Sequence, residues 1–487
     1  MYRTPTMSAT IVLLIIIAYF TLLMFVSRLV SRSGTDSNST FFLGNRKSPW
    51  WVVAIGMVGA SLSGVSFISV PGMVGAIGFN YMQTVFGFFF GYVVIANVLL
   101  PLYYKLNLTT IYGYFEQRIG RQSYKTSAWF FLLSRLIGSS VRLYVVALIL
   151  QKMVFSTWGI PFWVTACIII LLIWLYTSHS GIKTIVWTDT LQTIILITTL
   201  VLIIVQTVHM IDIPLSELTT QIMQSENTRI FVWDDWHSKQ HFVKQFFSGI
   251  FIAIVMTGLD QDMMQKNLTC RNLSDAKKNM YWYGISFIPV NLLFLILGAL
   301  LLFLANQQQI VLPTATDDIL PFMASTVMGE MVSLLFVIGI VAAAFSSADS
   351  TLTSLTTSFS VDILEVEKKS EVQAVKLRKR THVAISALFV LVILAFRALN
   401  NTNVIDAIYV IASYTYGPLL GMFTFGLFTT RNANDRLVPF IAVLAPIFCY
   451  VLDYCSKKYL GYAFGYELLM LNGLLVFTAL WATSKQK

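Results

Sequence analysis

The sequence predicts an all-α, polytopic membrane protein of about thirteen transmembrane helices, and three observations carry that prediction. Hydrophobic residues make up 56% of the 487 residues and charged residues 11%, against about a quarter charged in a soluble domain. Apolar runs long enough to cross a bilayer recur along the whole chain, and mean hydropathy is +0.73. The Lys and Arg residues behind the net charge of +10 fall in short stretches between those runs. That placement signals membrane topology and not a nucleic-acid surface.

Taken in order, the runs are 9–30, 50–78, 80–103, 126–152, 160–178, 184–208, 244–266, 279–305, 331–362, 382–398, 404–428, 437–454 and 461–483. The first is too long for a signal-peptide core and lacks a small-x-small cleavage pattern before Ser31, so it reads as a retained helix. The runs 50–78 and 331–362 exceed what a straight span needs. Arg32, Arg46 and Lys47 follow the first run, and Arg118, Arg121 and Lys125 the third. Lys266, Arg271, Lys277 and Lys278 follow the seventh. Lys368, Lys369, Lys376, Arg378, Lys379 and Arg380 follow the ninth, and Arg431 and Arg436 the eleventh. All share one side with the C-terminal tail; Lys457 and Lys458 are the exception. This places the C-terminus in the cytoplasm and the N-terminus outside, in a plasma membrane of the bacterial inner-membrane type.

The segment 209–243 is then extracytoplasmic. His237 and His241 beside Asp234 and Asp235 have a conceivable metal spacing, but nothing else in the chain supports metal chemistry, and a solvated loop is the preferred reading. The cysteines Cys167, Cys270, Cys449 and Cys455 form no framework and read as packing residues. With no linker long enough to divide it, the chain reads as one membrane domain, 1–487.

The stretch from Gly339 to Asp362 is where chemistry enters. Within an apolar span it carries Asp349 and a dense set of hydroxyls, and Ser346, Asp349 and Ser350 stack on one helix face with Ser347 and Ala343 beside them. Oxygen ligands at membrane depth suit a hard cation such as Na+, and an intramembrane carboxylate is a functional-site hypothesis by default. The alternative is that these hydroxyls bond back to their own helix or glue it to a neighbour.

Other spans add polar pieces. Val58 to Gly72 reads V-G-A-S-L-S-G-V-S-F-I-S-V-P-G, in which Gly59, Gly64, Pro71 and Gly72 interrupt the helix and Ser61, Ser63 and Ser66 supply oxygens. Such interruptions free carbonyls for a cation, though small residues also serve helix packing. Five spans later Gly249 and Gly258 precede Asp260, Gln261 and Asp262. Interrupted helices at corresponding places point to an inverted repeat of two five-helix halves, 50–208 and 244–428. The run 9–30 is an extra N-terminal helix, and 437–483 holds two C-terminal ones. Asp260 and Asp262 are candidate site acids, but an interfacial position near the cytoplasmic end is preferred for both. Asp189 lies two turns into the sixth span, at a depth that can meet Ser346. Arg135 and Arg142 share a face of the fourth span, where they either pair with resident acids, the preferred reading, or await an anionic ligand. Gln83, near the start of the third span, is the next polar candidate.

Four pieces in this order and topology resemble the sodium:solute symporter family: F-F-L-G-N-R-K-S-P-W-W (41–51), T-I-Y-G-Y-F-E-Q-R (110–118), W-T-D-T-L-Q (187–192) and A-A-A-F-S-S-A-D-S (342–350). The resemblance covers nearly the whole chain. It implies a LeuT-type five-plus-five inverted repeat with an extra N-terminal helix. It also implies a Na+ site formed by the carbonyls of Gly59, Leu62 and Ala343 with the hydroxyls of Ser346 and Ser347. Members similar to the sialic acid transporters hold a second ion, which would fall here on Asp189, Ser346, Asp349 and Ser350, with Asp349 where those members tend to have serine. Sugar-type members place a lysine in the helix after the broken segment, and this chain has none near Pro289. Ser61, Ser63 and Ser66 with Arg135 resemble the sialic-acid-type substrate site, to which Gln83, Arg142 and Asp260 are added as candidates.

The expected activity is secondary active transport: inward Na+ movement drives uptake of a small organic solute, a carboxylate such as sialic acid. The protein would act as a monomer in the bilayer, with Na+ as coupling ion and no nucleic acid or catalytic role. A Na+-coupled sugar or amino-acid symporter is the alternative within the family. A proton-coupled transporter or a membrane sensor is the alternative outside it.

Overall fold

The computed structural model describes residues 9–31, 37–178, 181–236, 238–399, 404–462, 464–465 and 467–486. Every extended element among them is a helix, and pairing outside helices is limited to the bridges Ser48–Cys270 and Asn432–Lys485. The main helices are α1 Ala9–Ser31, α2 Trp50–Ser61, α3 Gly64–Gly72, α4 Tyr81–Val94, α5 Arg121–Met153, α6 Phe162–Thr177, α7 Ile182–Ile211 and α8 Phe242–Ala253. They continue with α9 Gln261–Leu268, α10 Leu273–Gln307, α11 Gly329–Ser358, α12 Glu371–Leu399, α13 Val404–Phe428, α14 Val438–Leu460 and α15 Glu467–Thr483. Among the described residues eight helices are long and apolar enough to cross a membrane, or ten if each bent pair counts as one span.

The two expected interruptions are real breaks. α2 and α3 meet at 61°, and Phe242–Gly258 meets α9 at 64°. At the second break Asp260 caps α9, its carboxylate accepting from the N–H groups of Asp262 (3.0 Å) and Met263 (3.2 Å). The freed carbonyls of Gly258 and Leu259 accept from the hydroxyls of Tyr103 (2.8 Å) and Tyr112 (3.2 Å). The first break lacks such help. Ser63 makes no capping bond, and among the described residues no donor of the chain reaches the carbonyls of Gly59 or Leu62. A freed carbonyl at depth calls for another partner.

α11 is the hub: it packs on α7, α5, α3 and α2 and is buried along nearly its whole length. α4 and α8 approach closely because glycines face each other; a Cβ built on Gly249 would stand 2.3 Å from the Thr84 carbonyl oxygen. α1 lies against this core through an edge-to-face contact of Phe20 with Phe345. Peripheral helices keep apolar faces exposed, as Phe440, Ile447 and Val451 do on α14, which suits contact with lipid.

Several expected boundaries shift. α12 begins eleven residues before the expected 382, so the basic cluster Lys376–Arg380 is helical and not a loop. Arg378 is buried, stacks on Phe41 and donates to Asn38. The segment 209–243 carries the helix Leu215–Gln224 and packs Phe231 on Phe86, so it is not a plain solvated loop. Of the residues with metal-like spacing, Asp234 pairs with Arg229 and His241 caps Val243, while His237 lies outside the described residues, as does Arg32. Cys167 is exposed on the surface of α6 and is not a packing residue.

Candidate functional site

The hydroxyls of α11 sort into two groups. Thr356 and Thr357 donate back to carbonyls four residues earlier (2.7 and 2.9 Å), and Ser354 to the carbonyl of Thr351 (3.0 Å). These follow the back-bonding reading. Ser346 and Ser350 instead reach other helices. Ser346 Oγ donates to Asp189 Oδ1 of α7 at 2.8 Å, and Ser350 Oγ donates to Asp262 Oδ1 of α9. Asp349 turns a third way and accepts from Tyr176 of α6 at 2.8 Å. All are buried. Because Ser346 spends its single proton on Asp189, its lone pairs remain for an acceptor role.

The break between α2 and α3 faces this part of α11. A Cβ built on Gly64 would lie 3.5 Å from the Ile340 carbonyl, one turn before Ala343. On the other side Gly59 abuts Thr193 of α7, whose hydroxyl donates to the Asp189 carbonyl at 2.7 Å. Gly59 thus belongs to α2, Leu62 to the break that follows it, and Ala343, Ser346 and Ser347 to α11, with α7 packed against both helices. The second expected set is divided: Ser346 meets Asp189, while Asp349 and Ser350 go to Tyr176 and Asp262.

Lys266 is the residue that sequence reasoning misplaced. It was expected in a cytoplasmic loop, yet it is 1% exposed and its ammonium lies 2.6 Å from Asp189 Oδ2. The available signal was that five of the eight residues of Gln261–Leu268 are polar directly after a glycine break; in the fold all eight are buried.

Asp260 and Asp262 are likewise not interfacial; both are buried. Arg135 presents Nε and Nη2 to Asp260 (2.8 Å each) and Nη2 to Asp262 (3.1 Å). Tyr416 donates to Asp260 Oδ2, the oxygen that also faces Arg135 Nε, and Thr351 donates to Asp262 at 3.1 Å. This is the resident-acid pairing expected for Arg135.

A cavity of about 890 Å³ leads from these residues to one face of the molecule. Ser61, Ser63, Ser66, Arg135, Arg142 and Tyr283 line its inner part; Lys244, Asp317, Asp453 and Glu467 stand toward its mouth. Ser61 hydrogen-bonds Tyr283 (2.7 Å), which contacts Tyr92 (2.9 Å). Asp260 sits behind Arg135 and does not line the cavity. Gln83 does not line it either. Its amide binds the Gln240 carbonyl (2.8 Å) and the Val232 N–H (3.2 Å), pinning the segment near the mouth. Both ends of the Gln83 amide are thus committed to backbone groups of this segment.

The opposite face is closed. Arg118 covers the carbonyls of Gly426 (3.0 Å) and Arg431 (3.2 Å) at the end of α13. Asp435 caps α5 through the N–H groups of Gln122 and Ser123, 2.8 Å each. Glu365 bonds Lys125, Lys368 and Arg121 at 2.7 Å each, and these cations hold its carboxyl down to about 2.

Broken helices around a cluster of buried hydroxyls and carboxylates, with a cavity beside them, are the layout of a secondary transporter of the alternating-access kind. The sodium:solute symporter family model matches residues 41–436, and the chain belongs to that family. It is 26% identical over 439 residues to the sodium/sialic acid symporter NanT of Aliivibrio fischeri, covering 88% of this chain and 85% of that one. To the sodium/sialic acid symporter SiaT of Proteus mirabilis it is 25% identical, covering 83% of each. The fold matches a structure of a Na+-coupled sialic acid symporter in a substrate-bound outward-open state with a TM-score of 0.82, 22% identity, and coverage of 98% and 99%. The LeuT-type fold and sodium-coupled transport are therefore properties of this chain, and its family is one of transporters and not enzymes.

Proposed function

We propose that this protein takes up a small hydroxylated carboxylate, with sialic acid as the first candidate, and that one Na+ site couples the uptake. The observation that carries this reading is the cavity, whose inner wall combines Arg142 and Arg135 with the hydroxyls of Ser61, Ser63 and Ser66. Asp260 and Asp262 hold the Nε–Nη2 edge of Arg135. Arg142 supplies the further positive charge for an acid. The coupling Na+ takes the carbonyls of Gly59, Leu62 and Ala343 with the hydroxyls of Ser346 and Ser347. The orphaned carbonyls of Gly59 and Leu62 and the oriented lone pairs of Ser346 support this assignment.

The ion ties α2 and α3 to α11, substrate binds beside it, and the repeats 50–208 and 244–428 rock to open the other face. The basic loops near the closed face make that face cytoplasmic, with the N-terminus outside and the C-terminus inside a bacterial inner membrane. The chain acts as a monomer surrounded by lipid. One Na+ moving with one carboxylate carries no net charge, so the membrane potential does not drive the cycle; the Na+ gradient supplies roughly 1.4 kcal/mol per tenfold, enough for a matching tenfold substrate gradient. Each ligand must raise the other's affinity equally.

The test is uptake of labelled sialic acid, other small carboxylates, proline and hexoses into proteoliposomes with and without an inward Na+ gradient. Sodium-dependent uptake of an acid, lost in Arg142→Ala, supports the reading. Uptake of a hexose or proline alone would replace the substrate class. Uptake that follows a proton gradient and ignores Na+ would overturn the ion site.

A further inference from the structure

Asp189 has no room for a free second ion. Its Oδ1 accepts from Ser346 at 2.8 Å and its Oδ2 meets Lys266 Nζ at 2.6 Å. Gly56 of α2 closes a further side, since a Cβ built there would lie 3.1 Å from Asp189 Cβ. Lys266 comes from α9, directly after the second helix break, and is 1% exposed, so this ammonium is built into the protein interior. Asp349, the neighbouring acid on α11, is buried with Tyr176.

We propose that the Lys266 ammonium is a tethered cation filling the inner ion position at Asp189, so that the protein binds one Na+ where a two-ion site would otherwise form. The inference rests on the sodium-symporter reading above. The charges agree with it. Asp189 and Lys266 cancel, so Asp189 keeps no net charge with which to hold a second free cation. A burial that removes charge from water demands such local compensation. Removing the lysine charge leaves two buried carboxylates around Ser346, which is the chemistry of a second hard-cation site.

The experiment is equilibrium binding of radioactive 22Na+ to the purified full chain in detergent, without substrate, to saturation. Wild type is expected to bind one Na+ per protein and Lys266→Gln two, and the double variant Lys266→Gln/Asp189→Asn returns to one. Two ions on wild type, or one on a folded Lys266→Gln, overturns the inference and leaves the symporter reading standing. No saturable Na+ on wild type refutes the sodium site itself, and the tethered-cation inference with it. If Lys266→Gln fails to fold, the wild-type ratio decides: one ion supports the inference and two overturns it.

Discussion

Ser346→Ala gives the most direct reading of the ion niche. The side chain is buried on α11, and its proton is committed to Asp189 at 2.8 Å. What the substitution removes from a bound Na+ is an oxygen whose lone pairs are already oriented. A polar group on a charged partner contributes about 1.5–3 kcal/mol, which converts to roughly 10- to 150-fold weaker Na+ binding. Thermal stabilisation reports it independently. Na+ at about 100 times the wild-type dissociation constant adds about 2.7 kcal/mol, and a hundredfold loss reduces that to about 0.4 kcal/mol. The control is Ser354→Ala, two turns along the same helix, whose hydroxyl bonds only back to Thr351. It is expected to change Na+ affinity by less than about twofold. Equal affinity in wild type and Ser346→Ala, or equal loss in both variants, would refute the sorting of hydroxyls on which the site rests.

Three further outcomes follow from the same geometry. Gln83→Ala should loosen the segment it pins through Gln240 and Val232, raising amide exchange across 230–241 about 5- to 150-fold while leaving Na+ affinity unchanged; protection equal to wild type would remove the structural role. Arg135→Met strands two buried acids, at a cost of about 3–5 kcal/mol, and Arg135→Met/Asp260→Asn should recover part of the lost apparent melting temperature. A double variant less stable than the single one would contradict the pairing. The carboxyl of Glu365 lies at about 2 instead of 4.5, so its stabilising effect is complete above pH 4.5 and is lost as pH falls toward 2. Wild type should therefore lose melting temperature over that window more steeply than Glu365→Gln, and parallel curves would show that the bridge to Lys125 contributes nothing.

Local chemistry by itself determined a great deal about this protein. Apolar length specified a helical membrane protein, because a backbone in hydrocarbon must satisfy its own hydrogen bonds. Gly59 and Gly64 flank one helix break and Gly258 the other, since glycine weakens a helix, although Gly87 and Gly339 sit inside unbroken ones. The small-residue and hydroxyl pattern around Ser346 marked the helix that becomes the buried hub. What only the tertiary structure decided was which charges meet. Lys266 and Arg378 looked like loop residues, because positive charge near a span end carries the same signal whether it faces water or an acid. Asp260 and Asp262 looked interfacial until the bend between α8 and α9 carried them beneath Arg135. Ser346, Asp349 and Ser350 share one helix face, yet they point to α7, α6 and α9. Periodicity specifies a residue's angle on its own helix, but its partner depends on which neighbouring helix packs there. That is a long-range choice made by close packing of the whole core.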